Sequence, residues 1–330
     1  MRVLVTGAGG FLGRHVVLAL RRAGHDVRAL VRPGARLAAL GWDTGVEVVR
    51  ADLRSHPDLA AVVRGTDAVV HLAASMSGSD AARFTETVAT TERLFDAVAQ
   101  TPIRRVVLCS SFSVYDWQAA HGEVDETLPT NPEIYRNGGY AAAKLWQERL
   151  AQRRAAAGGW QLTILRPGFV WGPGNELPRG SLGPHLGPVQ LVFAPRRRLP
   201  FTHVMNCADC VRAALECPAA IGQTVNVVDG HALSAWRFAG EQRRRGGALP
   251  VPLPYWLLLP FVAGVSQLAR LVLGPRAKLP SFLVPSRFAQ GFRPLRYSTR
   301  RARETLGWSP PLDLERCLEV TWPPAAEARP

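Results

Sequence analysis

The sequence predicts an α/β fold, a doubly wound parallel sheet with a smaller C-terminal lobe, on three observations. Apolar strand-like runs alternate with helical patterns through the first half of the chain, the rhythm of a parallel sheet covered on both faces. A glycine-rich turn, Thr6-Gly7-Ala8-Gly9-Gly10-Phe11-Leu12-Gly13, joins the first run to the first helix. After the sixth strand the composition changes, with prolines and glycines crowding 167–188, as where a chain leaves one layer to build another.

The first strand is Arg2 to Thr6, and Arg14 to Arg22 reads as the helix beyond the turn. Strand, glycine turn and helix are the context that a dinucleotide-binding, Rossmann-type fingerprint requires. The glycines fall at 7, 10 and 13, so the spacing is GxxGxxG and not GxGxxG. Gly7 allows a tight turn, Gly10 lets backbone approach a pyrophosphate, and Gly13 lets the helix pack closely. The helix N-terminus then faces the phosphates. The second strand, Asp26 to Val31, follows a break at Gly24. Roughly 20 residues past such a turn an acidic side chain would grip the ribose diol of NAD. That place falls at Val31, and the adjacent Arg32 suits a 2′-phosphate, so NADP is expected ahead of NAD.

A third strand, Val46 to Arg50, ends at Ala51-Asp52-Leu53, and a fourth, Asp67 to Val70, runs into His71-Leu72-Ala73-Ala74. A helix is expected over 81–100, then a fifth strand, Arg104 to Cys109, ending in Ser110-Ser111. A polar loop precedes a helix that starts near Tyr140 and stops at Gly158-Gly159. The sixth strand, Gln161 to Leu165, closes on Arg166-Pro167-Gly168. Ligands of such sheets sit beyond the carboxyl ends of the strands, and each of these strand-end features lies at one. Phe201 to Asp209 leads into a helix reaching Glu216, and a strand follows at 224–228. The expected division is a nucleotide-binding domain at 1–170 with a return segment at 199–229, and a substrate lobe from 171–198 and 230–330.

Tyr140 and Lys144 stand four residues apart, which places a phenol and an ammonium on one helix face. Only Lys144 and Lys278 among the 40 basic residues are lysines. A chain that uses Arg for general positive charge and keeps Lys here suggests a need for a compact ammonium. A phenol titrates near pH ~10 when free; a neighbouring ammonium and a cationic nicotinamide would both lower that value.

Composition narrows the class. A net charge of +14 favours anionic partners, but the Arg clusters at 153–154, 196–198, 243–245 and 300–303 lack regular aromatic interleaving. They read as solvated faces, not a nucleic-acid groove. Five cysteines, an odd number, fit a reducing cytoplasm better than a disulfide framework. Cys207 and Cys210 form a lone CxxC with no second pair, so no metal site is expected. The chain starts directly with a strand, leaving no room for a signal peptide. The apolar stretch 251–273, interrupted by Pro260, Ser266, Gln267 and Arg270, is not expected to span a membrane. It fits a buried helix, a hydrophobic pocket wall or a membrane-interface segment.

In order, TGAGGFLG, Asp52-Leu53, HLAA, SSFSVY, YAAAK and LRPGFVWGPG resemble the extended short-chain dehydrogenase/reductase superfamily, the NAD-dependent epimerase/dehydratases, over most of the chain. The resemblance implies that Tyr140 is the catalytic acid/base, Lys144 its partner and Ser111 the third member. It implies cofactor contacts from Gly7, Gly10, Phe11, Leu12, Gly13, Asp52, Leu53, Leu72, Ala73, Ala74 and Pro167, and a homodimer paired through the long helices. Two positions depart from the family pattern. Thr87-Val88-Ala89-Thr90-Thr91 replaces an Asn-containing stretch, and Asp116 replaces a glycine. The apolar 251–273 segment, with Phe282-Leu283 and the closing Leu295–Trp308 stretch, is similar to the 3β-hydroxysteroid dehydrogenase-like branch. That branch implies a lipophilic alcohol or ketone as substrate, with peripheral membrane contact through 251–273 compatible with it. A nucleotide-sugar epimerase or dehydratase, and a cofactor-sensing protein without turnover, stay open as rivals.

Overall fold

The computed structural model describes the chain except residues 43, 177–180, 232, 275–279, 281–282 and 324–330; Lys278 and Phe282 lie outside the described residues. The chain opens with β1 (Arg2–Thr6), α1 (Phe11–Arg22), β2 (Asp26–Val31), β3 (Val46–Arg50) and α2 (Leu59–Val63). It continues through β4 (Ala68–His71), α3 (Asp80–Ala99), β5 (Arg105–Cys109), β6 (Glu123–Val124), α4 (Gly139–Gly158) and β7 (Gln161–Pro167). The helix after the glycine turn starts at Phe11, three residues before the Arg14 expected from the sequence.

β7, β5, β4, β1, β2 and β3 form one parallel sheet in that order. The order reverses between β1 and β4, so a crevice forms where neighbouring connections leave in opposite directions. Side chains alternate across each strand. Val3 and Val5 face α1, with Val16, Val17 and Leu20, in one core. Leu4 faces the other side, where α2 and α3 supply Leu59, Val63, Leu94 and Phe95. Burial on both faces explains why the strands read as continuous apolar runs.

The remaining strands are β8 (Phe169–Trp171), β9 (His185–Leu186), β10 (Val189–Phe193), β11 (Phe201–His203) and β12 (Thr224–Val227). β11 pairs with β8 and leads into α5 (Val204–Glu216), whose Cys207, Val211 and Ala214 join the α1 core. β12 then adds a seventh strand beside β7. Past it come α6 (Ala235–Arg244), β13 (Leu249–Leu253), α7 (Tyr255–Leu273) and α8 (Pro285–Phe292). β14 (Arg296–Tyr297), α9 (Arg300–Leu306) and α10 (Leu314–Thr321) end the fold. β13 joins β10 and β9 in a small separate sheet. α7 packs Val262 against Phe193, Phe288 and Phe292. Among the described residues no helix is long and apolar enough to cross a membrane.

Candidate active site

The glycine turn is built as its spacing implies. Gly7 has φ +70°, a left-handed conformation, and a Cβ there would stand 2.9 Å from the Ala73 amide nitrogen. The turn is therefore pressed against the segment after β4. A Cβ on Gly13 would fall 2.1 Å from the Gly7 carbonyl oxygen, so α1 seats directly on the turn. Gly10 is the N-cap of α1 and offers no side chain to the helix end, and the first turn holds no acidic residue. The first amides of α1 thus keep their donors, with the positive end of the helix dipole behind them. That fits a pyrophosphate. Phe11 and Leu12, half-buried, open the helix at this point.

Arg32 is exposed at the end of β2, close enough to lower the Asp52 carboxyl. Asp52 itself is gripped by Arg54, which donates from Nη2 at 2.7 Å, from Nε at 3.1 Å and from its backbone amide at 2.9 Å. The Arg54 side chain is the main reason that carboxyl sits at about 2. Leu53 buries its side chain in the core, leaving only its backbone for a ligand. Leu72, Ala73 and Ala74 follow β4 beside Gly7, half-buried, and Pro167 ends β7. All stand at the same sheet edge.

Ser111, Tyr140 and Lys144 also meet there. Ser111, whose hydroxyl accepts from the Ser113 amide at 3.1 Å, lies close enough to Tyr140 to favour its phenolate, and the Lys144 ammonium stands 6.0 Å from the centre of the Tyr140 ring. The Lys144 ammonium is buried and donates to the Cys109 carbonyl at 2.7 Å, at the end of β5. Burial pushes Tyr140 well above the ordinary tyrosine range, and the neighbouring Ser111 opposes that only in part. Burial likewise pulls Lys144 below the usual lysine value. Desolvation penalises whichever form is charged, so a phenol and an ammonium shift in opposite directions in one enclosed site.

α4 reaches this position through contacts that the sequence left unread. Gly139 lies so close to α3 that a Cβ would fall 1.8 Å from the Asp80 carbonyl oxygen. One turn past Lys144, the Gln147 amide donates to Thr91 Oγ1 at 2.7 Å and the Ala73 carbonyl at 3.2 Å, and lies 3.1 Å from His71 Nε2. His71 Nδ1 bonds Thr6 Oγ1 at 2.7 Å, and burial lowers its pKa to about 3, so the ring is neutral. Next along the helix, Glu148 makes a two-bond ion pair with Arg166 at 2.9 and 2.6 Å. The Arg166 guanidinium lies 4.7 Å from the centre of the Tyr115 ring, and Tyr115 donates to Asn226 at 2.6 Å. Polar residues three and four positions beyond Lys144, facing apolar strands, were the available signal.

The two departures from the family pattern have structural roles. Thr87 is buried and its hydroxyl accepts from the Ser75 amide at 2.9 Å, so it is engaged inside the protein. Asp116 accepts from the Gln118 amide at 3.0 Å and shapes only a loop. His203 is buried, pairs with Thr321 at 3.2 Å and is lowered to about 4 by burial, which suits packing and not catalysis. Cys207 and Cys210 are buried within α5, their thiols raised by burial. Among the described residues the one His/Cys/Asp/Glu group compact enough for a metal is Asp229, His231 and Cys317. Asp229 already accepts from Thr202 at 2.9 Å and the His203 amide at 2.8 Å.

The model of the NAD dependent epimerase/dehydratase family matches residues 3–228. The 3beta-hydroxysteroid-dehydrogenase/decarboxylase isoform 1 of Arabidopsis thaliana is 27% identical over 346 residues, 96% of this chain and 78% of that protein. The dTDP-4-dehydro-6-deoxy-D-allose reductase of a Streptomyces species is 31% identical, covering 64% of this chain and 71% of its own. In three dimensions the UDP-glucuronic acid 4-epimerase from Bacillus cereus, solved with NAD, superposes with a TM-score of 0.72. That match covers 97% of each chain at 21% identity, which shows the fold alone. The chain belongs to the NAD dependent epimerase/dehydratase family, an oxidoreductase of the extended short-chain dehydrogenase/reductase type with 3β-hydroxysteroid dehydrogenase-like relatives.

Proposed function

We propose that the protein interconverts a secondary alcohol and a ketone on a hydrophobic, sterol-like or fatty-acyl-like substrate, with NADP preferred to NAD. The observation that carries this reading is the placement of Ser111 and Tyr140 together beside a buried Lys144, at the sheet edge where the glycine turn sits. When bound, the nicotinamide supplies or accepts the hydride. Tyr140, kept protonated by burial, gives its proton to the carbonyl oxygen in the reducing direction and recovers it in the oxidising one. Ser111 holds that oxygen and stabilises the charge it gains. Lys144 stabilises the phenolate left behind and can reach the ribose. Arg32 takes the 2′-phosphate and the open end of α1 takes the pyrophosphate. The substrate lobe is 171–198 with 230–330, and the named activity of the steroid-dehydrogenase relative supports a lipophilic substrate. Peripheral membrane contact through 251–273 and pairing of two copies through α3 and α4 belong to the same reading.

A fluorescence titration with NADPH and NADH tests the cofactor, and a screen of lipophilic ketones against nucleotide sugars tests the substrate. NADPH should bind more tightly, Arg32→Ala should erase that preference, and Tyr140→Phe should bind NADPH normally while losing turnover. Tighter NADH binding by the unaltered chain would sink the Arg32 assignment. A second reading, a nucleotide-sugar epimerase or dehydratase, is favoured by the sugar-nucleotide reductase relative. Turnover of sugar nucleotides alone would select it.

A further inference from the structure

α7 is apolar over most of its surface, with Gln267 exposed, yet only half of it is covered. Val262 and Ser266 are buried on the side facing Phe193 and Phe288. Trp256, Leu257, Phe261, Leu268, Leu271 and Val272 are each more than half exposed. At 3.6 residues per turn these six fall on one half of the helix surface. Water normally meets a polar face on such a helix, and contiguous exposed apolar patches mark interaction sites.

Charge identifies the partner. From 242 to 303 the sequence holds twelve Arg and Lys residues and no acidic one; the rest of the chain carries 28 basic against 26 acidic residues. Almost all of the net charge therefore belongs to the stretch that contains the apolar face. Arg243 and Arg287 are exposed on α6 and α8, while Arg244 is paired with Glu241 at 2.6 Å. We infer that α7 docks on an anionic phospholipid membrane, with its apolar face lying in the headgroup boundary and the flanking arginines meeting lipid phosphates.

Helices of this kind lie in the interface when an apolar face is combined with basic flanks. Trp256 opens the exposed face at the helix N-terminus, and tryptophan is enriched at headgroup level. A second copy of the chain fits less well, because a two-fold contact through α7 would oppose two surfaces of the same strongly positive sign. The inference deepens the proposed function, resting on it only for the lipophilic substrate that such a surface would supply.

The test is co-sedimentation with two kinds of vesicle, phosphatidylcholine alone and phosphatidylcholine mixed equally with phosphatidylglycerol. The full chain should bind the anionic vesicles, bind phosphatidylcholine far more weakly, and lose binding as salt rises. Phe261→Glu combined with Leu268→Glu should weaken anionic-vesicle binding at least about tenfold, from the transfer free energy of two large side chains. The double variant should retain NADPH affinity and melting temperature, which separates a lost membrane contact from a failed fold or a failed oxidoreductase reading. Absence of anionic-vesicle binding by the unaltered chain overturns the inference, as does binding that ignores lipid charge and salt. Self-association of the unaltered chain that the double substitution abolishes, in the absence of vesicle binding, assigns the face to a second copy and overturns it too.

Discussion

The Glu148–Arg166 pair offers the sharpest quantitative test of how α4 is held. Both side chains are nearly inaccessible, at 2% and 8% exposure, and are joined by two hydrogen bonds. Glu148→Gln preserves volume but leaves the Arg166 guanidinium buried with only the Tyr115 ring and a neutral amide beside it. Breaking a buried pair from one side costs about 3–5 kcal/mol. Unfolding entropy near 2.1 cal/mol/K per residue, over 330 residues, comes to about 0.7 kcal/mol/K, so the melting temperature should fall by about 4–7 °C. The control is Glu315→Gln, which breaks the exposed Arg237–Glu315 pair and should cost at most ~1 kcal/mol. Differential scanning calorimetry on both variants reads the contrast. The double replacement Glu148→Leu with Arg166→Met, which removes both charges together, should recover most of the loss. Equal melting temperatures for Glu148→Gln and Glu315→Gln would refute the assignment of this pair as the anchor of α4.

Two further outcomes follow from the same geometry. Gly13→Ala would drive a Cβ to 2.1 Å from the Gly7 oxygen and 2.8 Å from Ala8 Cα, both backbone atoms that cannot step aside. It should cost about 1–3 kcal/mol in stability and weaken NADPH binding in a fluorescence titration, whereas a Cβ on Gly9 meets nothing nearer than Val31 at 3.6 Å, and Gly9→Ala should leave the melting temperature unchanged. Acidification should destabilise the fold. His15, His71 and His203 are lowered, chiefly by burial, from 6.5 to about 4, 3 and 4. The unfolded chain therefore takes up protons before the folded one as pH falls below about 6.5, and stability is lost from there downward. Asp229, raised by burial to about 6, works in the opposite sense between its unfolded and folded values, so it offsets one of the three. Each proton left over is worth about 1.4 kcal/mol per pH unit. Calorimetry between about pH 7 and 5 should show a falling melting temperature, and a flat or rising profile would contradict these burial shifts.

Much of the frame was legible because the sheet is buried on both faces. β1, β2 and β3 have the bounds expected from their apolar runs, each closed by glycine or polar residues. Spacing alone placed Tyr140 and Lys144 on one helix face, whereas Ser111 joined them only through the family resemblance. The supports of that cluster were not legible. Gln147 with His71 and Glu148 with Arg166 join residues 76 and 18 positions apart, and pairing between separate elements leaves no spacing to read. The burial of the Tyr140 phenol was hidden for a related reason. A neighbouring charge is visible in a sequence, while the depth of burial that outweighs it is a property of the whole fold. In α7 the difficulty was different, because a helix with so few polar residues carries no clear stripe to show which half the core will take.

Gly139 gives the site an uneven tolerance. The helix bearing Tyr140 and Lys144 meets α3 backbone to backbone at Asp80, with no room for even a methyl group between them. Such a contact acts as a mechanical stop: α4 can draw back from α3, but it cannot advance. Gln147, one turn past Lys144, donates to Thr91 of α3 and so resists the withdrawal that the stop leaves open.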